Sequence, residues 1–102
     1  MTTYRTVTVD EARKMMAHND GILLIDVRTP EEFDGLHIAG ALNIPLFELL
    51  ENIGHHATDP NHTIILYCQT GKSSLCAAQA LVYIGYRNVY NLGGIADSSD
   101  SF

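Results

Sequence analysis

Short apolar runs alternate along the chain with amphipathic stretches, and that alternation predicts a sheet laced with helices. Residues 6–8 are a brief β-like piece, and residues 22–27, 41–44, 64–67 and 89–92 are compact apolar runs. Runs this short and this continuous suit strands covered on both faces. Between them the spacing turns helical. Thr8 and Glu11 stand three apart, so the Thr8 side chain can take the Glu11 amide while the Glu11 side chain reaches back. A helix is therefore expected to about His18, ended by Asn19, Asp20 and Gly21. Thr29, Pro30 and Glu32 stand at N-cap, N1 and N3 of a second short helix. A turn over residues 35–40 leads to the third strand, which Pro45 stops, and residues 46–53 are amphipathic and helical. Residues 54–62 read as the most loop-like segment. After the strand at 64–67 comes a polar run, and then a helix from Leu75 to Gly85 and Tyr86, with Leu75, Cys76, Ala78, Ala80, Leu81, Val82 and Ile84 as its apolar stripe. The last strand runs into Gly93 and Gly94. Strands alternating with helices imply an α/β domain with a mostly parallel central sheet of about five strands flanked by helices. In such sheets, sites lie beyond the carboxyl ends of the strands.

Composition narrows the picture. The 102 residues suffice for one domain, residues 1–102, and 46% hydrophobic with 18% charged residues is ordinary for a globular chain. Twelve acidic against six basic side chains give a formal charge of -6, which argues against nucleic acid or an anionic membrane as a partner. No apolar run reaches membrane-spanning length. Residues 1–6 hold no apolar signal core, and two cysteines cannot make a secreted-type disulfide framework, so a reducing cytoplasm is the expected compartment.

The candidate chemistry centres on Cys68, at the carboxyl end of the fourth strand, followed by Gln69, Thr70, Gly71, Lys72, Ser73 and Ser74. A free cysteine taken alone is more often a small core residue than a nucleophile. A polar, glycine-containing loop opening a helix directly after it reverses that preference. Unpaired N–H groups of the loop and first helical turn favour negative charge and can form an anion-binding nest, so a Cys68 thiolate would be stabilised as a nucleophile. Lys72 adds positive charge, either for an anionic substrate or merely as a solvated side chain. Asp26 and Arg28 fall at the same edge, where they read as a structural ion pair more than as catalysts. His37 reads as a hydrogen-bonded turn residue, and Cys76 as a core residue rather than a resolving thiol. His55, His56 and His62 lack any Cys or carboxylate spacing that would make a metal site.

Four ordered motifs carry a resemblance. Residues 25–33 (Ile-Asp-Val-Arg-Thr-Pro-Glu-Glu-Phe), 35–45 (Gly-Leu-His-Ile-Ala-Gly-Ala-Leu-Asn-Ile-Pro), 66–74 (Leu-Tyr-Cys-Gln-Thr-Gly-Lys-Ser-Ser) and 89–95 (Val-Tyr-Asn-Leu-Gly-Gly-Ile) are together similar to a single-domain rhodanese. The resemblance implies the rhodanese-like three-layer fold and a sulfurtransferase needing no cofactor and no metal. In that cycle Cys68 takes sulfane sulfur from thiosulfate or a similar donor as a persulfide and hands it to cyanide, a small thiol or a thioredoxin-like acceptor. Residues 69–74 would cradle the sulfur anion, with Asp26 and Arg28 in support. Many members carry Arg where this chain has Ser73, which removes a side chain suited to pinning an anionic donor. Residues 96–102 are polar, where members often continue into a final helix. Two other classes stand beside this one. A cysteine phosphatase or arsenate reductase needs an arginine after five intervening residues, and that position is Ser74. A catalytically weak rhodanese-like binding or regulatory domain is the other, and the retained cysteine and polar loop count against it.

Overall fold

In the computed structural model, which describes residues 3–95, five strands and four α-helices alternate along the chain. The elements are β1 (Arg5–Thr6), α1 (Val9–His18), β2 (Leu23–Asp26), α2 (Pro30–Gly35), β3 (Leu42–Asn43), a 3-10 turn (Leu46–Glu48), α3 (Leu49–His56), β4 (Thr63–Cys68), α4 (Lys72–Tyr83) and β5 (Asn88–Gly94). The strands form one sheet in the order β1-β5-β4-β2-β3. Every pairing is parallel, so the sheet is more uniform than expected.

Alternation along the strands divides the core in two. Leu24, Ile65 and Tyr67 face one side, where Ala12, Met15 and Met16 of α1 cover them. Ile25, Ile64, Leu66 and Cys68 face the other, against Leu49 and Ile53 of α3 and Ala77, Ala78 and Leu81 of α4. The result is three layers, with β4 at the centre of the sheet. The anticipated Thr8–Glu11 capping box forms, and at the Thr29 N-cap Glu32 completes a second one. Thr8 accepts from the Glu11 amide at 3.1 Å while Glu11 accepts from Thr8 N, and Thr29 and Glu32 repeat the pattern.

Several expectations need correction. α4 begins at Lys72, not Leu75, because Gly71 in a left-handed conformation (φ 98°) turns the chain directly into the helix. Its buried positions are Ser74, Ala77, Ala78 and Leu81, a spacing of three, four and seven. Cys76 therefore points to the opposite side and is exposed, as are Leu75 and Ile84, so Cys76 is not a core residue. α3 extends to His56, which takes His55 and His56 out of the loop and into a last helical turn. β5 runs on through Gly93 and Gly94. β3 is two residues long because it is an edge strand held only at Ile25↔Leu42 and Asp26↔Asn43. The polar segment at 96–102 lies outside the described residues. Among the described residues, no helix is long and apolar enough to cross a membrane, and no group of three His, Cys, Asp or Glu side chains is disposed to hold a metal ion.

Candidate active site

The last residue of β4 is Cys68, only 2% exposed, with its sulfur turned towards the start of α4. Three residues, Gln69, Thr70 and Gly71, carry the chain from strand to helix. The positive φ of Gly71 brings its own N–H back towards the strand end. Gly71 N donates to Cys68 Sγ at 2.9 Å, and Ser74 N donates to the same sulfur at 3.3 Å. The Ser74 hydroxyl lies 3.3 Å from Sγ and donates to Gly71 O at 3.2 Å. In the thiol form the S–H donates a hydrogen bond to Ser74 Oγ. In the anionic form the same hydroxyl can turn and donate to sulfur. Ser74 is fully buried, so this is an interior contact made for the sulfur. The two amides belong to the loop and first turn of a twelve-residue helix, and their partial charge favours an anion.

The residues singled out from sequence are brought together unevenly. Gly71 and Ser74 touch the sulfur. Gln69 and Thr70 are exposed at the rim, Lys72 is exposed at the first helical position, and Ser73 is half-buried. Asp26 and Arg28 do not touch Cys68. Arg28 Nε and Nη2 grip the buried Asp26 carboxylate at 2.8–3.0 Å, and Arg28 N also donates to it. The hydrogen bonds it donates to Asp26 raise the guanidinium pKa further above its ordinary value, against the opposing effect of burial. Arg28 Nη1 then donates to Gln69 Oε1 at 3.1 Å, and Nη2 donates to Leu36 O. Arg28 thus ties the end of β2 to the loop after β4 and to the turn after α2. It also lies over the Tyr67 ring, 5.7 Å from its centroid. His37 stacks on Phe33 and its Nδ1 sits 2.7 Å from Phe33 O, a turn contact as expected.

Two contributors escaped the sequence reading. Tyr67 is fully buried and accepts a hydrogen bond from Ile38 N through its hydroxyl; burial raises its phenol pKa. Gly94 lies beside Cys68 in the β4–β5 ladder, and the Cys68 carbonyl accepts from Ile95 N at 3.0 Å. Neither residue type signals a site by itself, and only the register of β5 places Gly94 there.

The arrangement is a buried sulfur facing two amide donors and a hydroxyl, with an open polar rim. It can stabilise a sulfur anion without a metal or a side-chain base.

Comparison with known proteins points the same way. A family model described as a rhodanese-like domain matches residues 8–99. The chain is 44% identical over 73 residues to thiosulfate sulfurtransferase PspE of Escherichia coli, covering 72% of this chain and 70% of that one. It is 34% identical over 94 residues to thiosulfate sulfurtransferase GlpE of Stutzerimonas stutzeri, covering 92% and 83%. Among solved structures it superposes on the human single-domain sulfurtransferase TSTD1 with a TM-score of 0.77 and 31% identity, covering 87% and 88%. With the parallel sheet, the cysteine loop and matches spanning most of its length, the chain belongs to the rhodanese-like family.

Proposed function

We propose that this protein is a sulfurtransferase that carries sulfane sulfur on Cys68. The observation supporting this most strongly is the convergence of Gly71 N, Ser74 N and the Ser74 hydroxyl on one buried sulfur. The names of the relatives make thiosulfate the natural first donor. The Cys68 thiolate attacks the outer sulfur of thiosulfate. A Cys68 S–S bond forms as the S–S bond of the donor breaks, and that electron pair leaves with sulfite. Charge balances without a proton, so no general acid or base is required. The persulfide is itself an anion and meets the same donors. A thiolate or cyanide acceptor then attacks the outer sulfur and returns the electron pair to Cys68, so the two half-reactions are redox neutral together.

In this reading Gly71 and Ser74 bind the sulfur. Gln69, Thr70, Lys72 and Ser73 form the rim that meets donor and acceptor, with Lys72 attracting anions. Asp26 and Arg28 hold the rim in place through Gln69. A small thiol, a thioredoxin-like protein or cyanide can each serve as acceptor, in a reducing cytoplasm.

Intact mass after thiosulfate treatment, followed by turnover with cyanide or a dithiol, tests the proposal. The work is best done in a Cys76→Ser background, because Cys76 is an exposed second thiol. The expected result is a gain of one sulfur and measurable turnover, both lost in Cys68→Ser. A folded Cys68 protein that gains no sulfur from thiosulfate or polysulfide, and turns over neither acceptor, would overturn it.

A further inference from the structure

β5 does more than extend the sheet. Its pairing with β4 slips by one residue: Leu66 pairs with Asn91, but Tyr67 pairs with Gly93, leaving Leu92 as an extra residue. The buried Asn91 side chain secures this bulge by accepting from Gly93 N at 2.9 Å. The bulge advances the strand so that Gly94 sits level with Cys68 and against the loop that follows it.

Gly94 has no positive φ, so its backbone does not call for glycine. Space does. A Cβ at Gly94 would lie 2.6 Å from Thr70 C, 2.9 Å from Gln69 O and 2.9 Å from Gly71 N. All three are backbone atoms, and none can swing aside as a side-chain tip would. One of them, Gly71 N, is the nearest amide donor to the Cys68 sulfur. Gly71 faces Gly94 in return, a Cβ there lying 3.4 Å from Gly94 N, and it is its positive φ rather than space that calls for glycine. β5 cannot easily back away, because Ile95 N is tied to Cys68 O.

We propose that Gly94 is a positioning residue whose bare Cα is the backstop of the Gln69–Thr70–Gly71 loop and fixes the Gly71 N–H on the Cys68 sulfur. Asn91 sets the backstop by holding the bulge. For the persulfide state this rests on the sulfur-transfer reading above; for the thiolate it rests only on the contact with Cys68. A methyl group at Gly94 displaces the loop peptide, and a hydrogen bond whose strength falls steeply with distance and angle is the first casualty. Losing one hydrogen bond to a charged group costs the anion about tenfold or somewhat more in its ionisation equilibrium.

The test is the pH profile of iodoacetamide alkylation at Cys68, in the Cys76→Ser background, for Gly94→Ala beside the parent. Gly54→Ala serves as the control, because a Cβ there meets nothing within 4 Å. The Gly94→Ala profile is expected to move up by about one pH unit, with a shorter-lived persulfide, while Gly54→Ala matches the parent. Thermal unfolding run alongside separates positioning from stability, since a purely structural glycine would lower the melting temperature and leave the profile in place. A folded Gly94→Ala protein with the parent's profile overturns the proposal. Should that variant not fold, Asn91→Ala decides: a profile shifted upwards supports the backstop, and an unmoved one sinks it. Alkylation needs no sulfur donor, so a parent protein that forms no persulfide would refute the sulfurtransferase reading while this comparison still gave its own answer.

Discussion

Arg28 makes the clearest residue-scale case for a side chain that serves the site without touching it. Its charge is buried beside an equally buried Asp26, and such a pair gains little over an apolar one. Breaking it is another matter, because a single uncompensated charge then remains inside. Asp26→Ala is expected to lower unfolding stability by about 3–5 kcal/mol, read from urea denaturation at neutral pH. The same variant frees the guanidinium that holds Gln69 Oε1 and Leu36 O. Sulfur transfer by the folded fraction should therefore fall as well, with the KM for the donor rising more than kcat drops, because the rim and not the sulfur loses its support. Lys72, exposed and one residue beyond the glycine that turns the chain, offers charge with none of this packing.

At the scale of elements, short helices are made by their ends. α2 is six residues long, buries no side chain, and depends on the reciprocal Thr29–Glu32 cap. Thr29→Ala should cost about 1 kcal/mol, seen as a small fall in melting temperature, with a looser turn at Leu36. Such caps were readable from sequence because they are local: a threonine, a proline and a glutamate at fixed offsets. The same holds for the β2 and β4 cores, where continuous Leu and Ile runs leave little choice. The phase of α4 was harder to read. Its packed face is Ser74, Ala77, Ala78 and Leu81, and small residues are chosen there because the helix lies close on the sheet. Counting large apolar side chains instead put Leu75 and Cys76 inward. The glycines ending β5 were equally opaque, since glycine ordinarily weakens a strand. Their role depends on a neighbouring strand more than twenty residues earlier. Of the candidate site, the cysteine and its loop were legible and the sulfur's partners were narrowed to six residues, but which two of them supply the donors required coordinates.

For the molecule as a whole, burial between two helical layers sets an alkaline limit on stability. Tyr67 lies at the centre of the sheet, and desolvation holds its phenol above the ordinary tyrosine value. Below about pH 10 both folded and unfolded chains keep that proton. Above it the unfolded chain releases the proton while the folded chain retains it, so stability must fall as pH rises. Urea midpoints should show no loss from Tyr67 up to about pH 10 and decline from there towards about pH 11, and that decline should be shallower in Tyr67→Phe, although that variant starts lower for want of the Ile38 partner. The strand order also has a temporal side. β5 is made after the other four strands yet belongs between β1 and β4, so a growing chain on the ribosome can pair β2 with β3 and with β4 while β1 waits without a neighbour. Only when residues 88–94 have emerged does the sheet close. The strand that completes the sheet is the one that stands beside Cys68, so the sulfur has its finished surroundings only once that strand has docked.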